Sequence, residues 1–276
     1  MKATTTNLRR VLVSGLSIWI ASKDELIIKS CTMNIAAGDD GIHAETNLTI
    51  NGGTISISKS YEGLEGKTIT INDGTIHLVS SDDGINAPAG KGTGGGPMGS
   101  SSSSIYKLNI NGGFVYVDAN GDGLDANGTI TITNGIVLVN GPTASGNGAL
   151  DYDVSFQISG GFLLAVGSSG MAQAPGTTST QNSVLVGLTA AQQAGTPIHI
   201  RSSDGKEIFT FKPSKKYQPV AFSSPTLVKG TTYDVYYGGS TTGTGTDGLY
   251  QSGTYKPGTK YTSFTVSSVV TKVNSR

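Results

Sequence analysis

The chain has 276 residues with 19 Lys+Arg against 19 Asp+Glu, so its formal net charge is zero, and 40 residues are glycine. Charged residues make up only 14 %, against about 25 % in an average soluble domain, and no apolar run reaches the roughly 18 residues of a membrane-spanning helix. Neutrality argues against a nucleic-acid partner, and one cysteine, Cys31, excludes an internal disulfide framework.

Arg9-Arg10 precedes the stretch Val11 to Ala21, the order of a signal peptide. Cleavage after Ala21, however, would place bulky Trp19 where a small residue belongs. Residues 1–23 are therefore read as an atypical N-terminal cap or leader remnant. From 24 to 175 the chain repeats. Ile28, Ile50, Ile71, Ile110, Ile132 and Ile158 share one local context, at spacings of 22, 21, 39, 22 and 26 residues. Each unit holds short alternating strands, a Gly turn, a further strand and an acidic turn with Gly. One such unit cannot close a core, but units stacked about 4.8 Å apart bury a common apolar column.

These features predict an all-β chain built on a parallel β-helix of about six rungs of ~22 residues. Ile55, Ile57, Ile76, Leu78, Val115, Val117, Val137 and Val139 would point inward. The 39-residue spacing contains an insertion, 88–104, rich in Gly and Ser. It reads as a loop leaving the solenoid, either folded over a ligand or disordered.

Outward positions of the second strand run Thr32/Asn34, Thr54/Ser56, Thr75/His77, Phe114/Tyr116, Ile136/Leu138 and Phe162/Leu164. This face turns from polar to apolar, so either the C-terminal segment folds back over it or it is an open ligand platform. Beyond Gln173 the repeat is lost. Residues 176–182 read as a linker and Thr189 to Ala194 as a short helix. Runs such as Ile198-His199-Ile200 and Tyr233-Asp234-Val235-Tyr236-Tyr237 predict a C-terminal antiparallel β module over 176–276, packing on the later rungs.

The acidic turns carry the chemistry. Aligned by repeat, one column holds Asp40, Glu62, Asp83 and Asp122; three residues on, the next holds His43, Glu65, Asn86, Asp125 and Asp151. Asp39, Asp82, Asp118 and Asp153 lie close by. Parallel stacking would bring these carboxylates to about 5 Å from one another. Like charges so close raise each other's pKa, and Lys59 and Lys67 are too few to neutralise them. Ca²⁺, which takes six to eight oxygens, fits such a column. The candidate metal ligands are Asp39, Asp40, Glu62, Glu65, Asp82, Asp83, Asp122, Asp125, Asp151 and Asp153. Asp-Gly turns also form for purely conformational reasons. Zinc is not expected, since His43, His77 and His199 fall at different repeat positions. Candidate ligand-binding residues near the same edge are Tyr61, Tyr106 and Tyr152, for stacking on sugar faces, with Lys59 and Lys67.

Gly38-Asp39-Asp40-Gly41-Ile42-His43-Ala44, Tyr61-Glu62-Gly63-Leu64-Glu65-Gly66, Ser80-Ser81-Asp82-Asp83-Gly84-Ile85-Asn86-Ala87 and Asn147-Gly148-Ala149-Leu150-Asp151-Tyr152-Asp153 resemble the bacterial calcium-dependent carbohydrate-binding β-helix proteins, a family akin to pectate lyases. The resemblance spans about residues 24 to 276. It implies a right-handed parallel β-helix, Ca²⁺ at the acidic turns, and binding of plant cell-wall polysaccharide, polygalacturonate above all and cellulose as a further ligand. It also implies a secreted or cell-surface location. Pectate lyases use an arginine beside Ca²⁺ as base; here none occurs between Arg10 and Arg201. No catalytic residue is therefore assigned, and binding is expected. A pectate-lyase-like enzyme and a structural surface adhesin are the alternatives.

Overall fold

The computed structural model describes residues 20–88 and 105–275. Residues 1–19 of the expected cap, residues 89–104 of the expected insertion and Arg276 lie outside them, while Ile20–Ser22, inside the expected cap, pairs in register with Ile42–Ala44 as a rung of the solenoid. Among the described residues the chain is all β, and no helix is long and apolar enough to cross a membrane.

Three parallel ladders build the solenoid, each contributing one short strand per turn. The first contains Ile20–Ser22, the start of Ile42–Ile50, the start of Leu64–Ile71, Ile85–Ala87, Leu124–Ala126 and Leu150–Tyr152. The second begins with Glu25–Ile28 and runs through the ends of the two long strands to Lys107–Ile110, Thr129–Ile132 and Ser155–Ile158. The third stacks Thr32–Ala36, Thr54–Lys59, Thr75–Ser80, Phe114–Ala119, Ile136–Asn140 and Phe162–Val166. Each ladder has six rungs, as the repeat count predicts.

Alternation explains the interior. Ile55, Ile57, Ile76, Leu78, Val115, Val117, Val137 and Val139 are all buried, and they join Ile50, Ile71, Ile110, Ile132 and Ile158 in one continuous core. Register is also held outside. Asn72 Nδ2 donates to Asn51 Oδ1 at 2.7 Å, Asn111 Nδ2 to Asn72 Oδ1 at 2.9 Å, and Thr133 Oγ1 to Asn111 Oδ1 at 3.0 Å. This polar ladder forms only if successive rungs are in step, because a one-residue slip would turn every second side chain inward.

The turn after the second ladder needs a left-handed residue. Gly113 has φ +81°, and a Cβ there would lie 2.6 Å from the Gly74 carbonyl oxygen. Cys31 fills the equivalent place in the first turn, and its φ is not positive, so that turn takes another conformation.

The sixth rung is not left open. Gly176 N donates to the Phe156 carbonyl, Thr180 N and Gln181 N to that of Ile158, and the Ser179 hydroxyl accepts from Ile158 N. Residues 176–182 therefore close the last turn and do not act as a linker; edge amides and carbonyls of a parallel ladder require partners. The third ladder continues beyond the solenoid. Tyr217–Ser223 pairs antiparallel with Phe162–Val166, Ser183–Gln192 with Tyr217–Ser223, and Val270–Val273 lies parallel to Ser183–Gln192. The helix expected from Thr189 to Ala194 is absent: that stretch starts as strand and ends in a turn, and within it Gln192 pairs with Tyr217 after a break in register.

A second, antiparallel sheet orders Leu249–Tyr250, Glu207–Phe211, Ile198–Ser202, Thr232–Tyr237 and Thr259–Thr265. Its Phe209, Phe211 and Val235 share a core with Leu138, Phe162 and Leu164 of the third ladder. The apolar half of the outward face is thus covered, with Phe162 against Phe222 and Phe209 at ring-centroid distances of 5.2 and 5.9 Å. Polar contacts fasten the rim. Lys215 Nζ lies 2.7 Å from Asp118 Oδ1, and His77 Nε2 lies 2.7 Å from Asp247 Oδ2. Asp118 consequently belongs to this seam and not to the acidic edge.

Gly113→Ala should cost about 2 kcal/mol or more, since a left-handed backbone penalty adds to a steric clash. Gly205→Ala, also at positive φ but with nothing within 4 Å, should cost about 1 kcal/mol. Equal denaturation midpoints for the two variants would contradict the close stacking.

Candidate metal centre on the acidic edge

The acidic turns connect the third ladder of one rung to the first ladder of the next. Glycine is needed here for proximity. A Cβ on Gly63, Gly84 or Gly123 would lie 2.3–2.5 Å from the carbonyl oxygen of the next turn. The backbones can therefore stack at strand spacing, and the side chains beside each glycine fall into line. Gly41 N donates to the Glu62 carbonyl, Gly63 N to Asp83, and Gly84 N to Asp122, which puts Asp40, Glu62, Asp83 and Asp122 in one column. The first ladder pairs His43 with Glu65, Glu65 with Asn86, Asn86 with Asp125, and Asp125 with Asp151. These are the two columns read from the sequence.

Within them, two groups of donors converge. One oxygen from each of Asp83, Asp122 and Asp125 lies within 4.8 Å of the others, and so do single donor atoms of Asp40, His43 and Glu65. Between the groups stands Asn86, only 6 % exposed. Its Nδ2 donates to Glu62 Oε1 at 3.0 Å. Asn86 Oδ1 and Glu62 Oε2 are both buried without a hydrogen-bond partner. Buried polar atoms seldom remain so.

The electrostatics match this crowding. Burial, with the neighbouring carboxylates adding to it, pushes Glu62 and Asp125 up to about 8, Glu65 to about 7, and Asp83 and Asp122 to about 6, from ordinary values near 4. Two of these acids also cap the next turn. Asp83 Oδ1 accepts from Asp122 N at 2.6 Å and Asp122 Oδ1 from Gly148 N at 2.5 Å. Those amides favour the ionised form, so these two rise less than Asp125. Asp40 Oδ1 accepts likewise from Glu62 N at 3.3 Å. Part of the acidic pattern is therefore turn chemistry. It accounts for one oxygen of each capping Asp and leaves the second oxygens, Asp125 and Glu62 unexplained.

The remaining candidates separate by position. Asp151 is in register with Asp125, but its carboxylate accepts from Gln173 Nε2 at 2.5 Å. Asp153 is exposed and accepts from Asn127 at 3.2 Å. Asp39 is exposed as well. Asp82 accepts from the hydroxyl of Tyr61, whose pKa it pushes up to about 12. Tyr61 itself is 50 % exposed, an aromatic ring standing over the acidic edge. Tyr152 is not available for stacking on a sugar, because its hydroxyl donates to the Ala174 carbonyl and its ring packs edge-on against Phe156. Lys59 is exposed at a strand end. Lys67 and Tyr106 share a cleft of about 260 Å³ with His43, Glu45, Glu65 and Pro88. Asn86 and Glu45 were not among the candidates. Repeat register places Asn86 in the carboxylate column, whereas nothing in the repeat pattern singles out Glu45.

Residues 13–66, which include Asp40, His43, Glu62 and Glu65, match the model of a family described as "Carbohydrate-binding domain-containing protein". No curated protein and no solved structure matches the chain. The family match and the parallel solenoid together support a carbohydrate-binding β-helix.

The raised carboxyl pKa values fix a sign for pH dependence. A carboxyl that is harder to ionise when folded holds protons that the unfolded chain has released. The folded state binds more protons between the two pKa values, and stability falls as pH rises through that interval. In chelator, the thermal midpoint should therefore drop as pH is raised from about 4.5 to about 8. A midpoint that rises across this range would show that these carboxylates are compensated within the protein.

Proposed function

We propose that this chain is a non-catalytic, Ca²⁺-dependent binder of an acidic plant polysaccharide of the polygalacturonate class, acting outside the cell or on its surface. The observation that carries the reading is the stack of Asp83, Asp122 and Asp125, with Asn86 Oδ1 and Glu62 Oε2 buried and unpartnered beside it. An all-oxygen set of carboxylates and a carboxamide suits a hard divalent cation. These residues would hold Ca²⁺, which supplies charge neutralisation and further coordination positions for oxygens of a bound uronate. Asp83 and Asp122 keep one oxygen each on a backbone amide, so their orientation is set before a cation arrives. Tyr61 stands at the same edge as a stacking surface for a pyranose ring.

Charge distribution supports a polyanion. Residues 24–153 hold 15 acidic against 5 basic residues, and residues 201–276 hold 10 basic against 4 acidic. The acidic solenoid gathers cations while the basic C-terminal part attracts the polymer. Binding is favoured over lyase chemistry because the sequence lacks an arginine between Arg10 and Arg201, and Arg201 is engaged in the C-terminal sheet, its Nη2 donating to Tyr236 Oη at 2.7 Å.

Retention on polygalacturonate and on cellulose, with Ca²⁺ or chelator, tests this, with unsaturated product followed by ultraviolet absorbance. The expected result is retention on polygalacturonate that chelator reduces at least ten-fold, with no product. Retention indifferent to chelator would remove the cation from the account, and product formation would make the protein a lyase. Retention on cellulose alone would reassign the ligand.

A further inference from the structure

The antiparallel C-terminal sheet has two faces, and only one of them packs on the solenoid. Ile198, Ile200, Phe209, Phe211 and Val235 share the core with the third ladder. By alternation, His199, Thr210 and Tyr236, in register across three strands, point the other way. The paired segments Ser240–Thr241 and Tyr255–Lys256 cover that face. Between cover and sheet lies a cleft of about 60 Å³, with Glu207, Thr210, Tyr250 and Tyr255 in its walls.

His199 sits behind this cleft with no exposed surface. Its ring stacks on Tyr255 at 3.8 Å and 14°, and its Nδ1 lies 2.8 Å from Thr210 Oγ1. Nε2 lies 2.9 Å from Glu207 Oε2 but out of line for a hydrogen bond, and it is buried without a partner. Thr210, Tyr255 and Glu207, which surround the ring, all line the cleft. Packing alone does not account for this histidine. Burial, with Arg201 adding to it, pulls its pKa down to about 4, so near pH 7 the ring is neutral and Glu207 is not its counter-ion. A purely structural imidazole keeps both nitrogens bonded; here one is left open.

We propose that this cleft binds a neutral sugar residue, as a saccharide site distinct from the acidic edge and independent of Ca²⁺. A hydroxyl is the group that answers the open nitrogen, since it accepts from Nε2–H in one tautomer and donates to Nε2 in the other. A neighbouring hydroxyl donates to the Glu207 carboxylate. Vicinal hydroxyls present such a pair on one edge of a sugar ring. The cleft has room for a few water-sized groups, which fits that edge and not a whole ring. Among the described residues, Glu207 is the one charged side chain lining the cleft. A uronate would set its own carboxylate against it, so the cleft selects neutral sugars where the acidic edge gathers cations.

Isothermal titration of the full chain in excess chelator tests the site, with xylotetraose, galactotetraose and cellotetraose as neutral probes and trigalacturonate as a competitor. The expected result is one equivalent of a neutral probe bound, with trigalacturonate failing to displace it. Glu207→Ala should weaken this binding at least ten-fold, and Asp125→Asn should leave it unchanged. The His199 Nε2 resonance, followed by two-bond ¹H–¹⁵N correlation, should shift as the probe binds. Binding of none of the three neutral probes would overturn the proposal on the natural chain alone. So would undiminished binding by Glu207→Ala, or an Nε2 resonance that the bound sugar does not move.

Discussion

In-register parallel stacking governs the rest of this structure. Three ladders repeat every turn, so a residue type that recurs in the sequence becomes a column at strand spacing in space. Where the recurring residue is Ile, Leu or Val the column is a continuous core; where it is Asn, it is a hydrogen-bonded ladder. Where it is Asp or Glu the column stores repulsion. The same geometry cannot deliver one without the other, because glycines at the turns fix the approach of successive backbones for every column at once.

The carboxylate edge is the place where this rule costs stability. Apolar burial elsewhere holds Asp125 and Glu62 in positions that desolvate them, and neither is offset by a cationic side chain. Backbone amides relieve Asp83 and Asp122 in part. A fold selected for stability alone would carry Asn or Ser at these turns, as it does at Asn51, Asn72 and Asn111 on the other side of the rung. Real chains break local consistency of this kind chiefly at functional sites. The C-terminal sheet contributes by closing the apolar half of the third ladder.

Most of the solenoid was legible because each rung is short and its signals are local. Alternation identified the inward side chains, and a fixed Ile context set the register. The columns of Asp40 and His43 followed from that register alone. Other features depended on contacts that no local pattern encodes. Residues 176–182 look like a linker by composition, yet the last rung's unpaired edge recruits them. Thr189 to Ala194 has helical composition, yet the strand that begins at Ser183 runs on through it to Gln192. Tyr152 resembles a binding residue until Ala174 and Phe156 claim it. Asp118 is an acid next to acidic turns, but its strand directs it to Lys215. The approach of His43 to Asp40 and Glu65 required distances, since sequence spacing gives columns and not the reach of side chains across them.

The proposed Ca²⁺ would act by relieving the carboxylate stack. The most direct test of that relief is the thermal midpoint at pH 8 of the natural chain and of an Asp83→Asn/Asp122→Asn/Asp125→Asn variant, each in chelator and in saturating Ca²⁺. The natural chain should gain about 2.7 kcal/mol at a hundred times its dissociation constant. The variant should begin more stable in chelator and gain nothing. A natural chain whose midpoint ignores Ca²⁺, or a variant that responds equally, would contradict it.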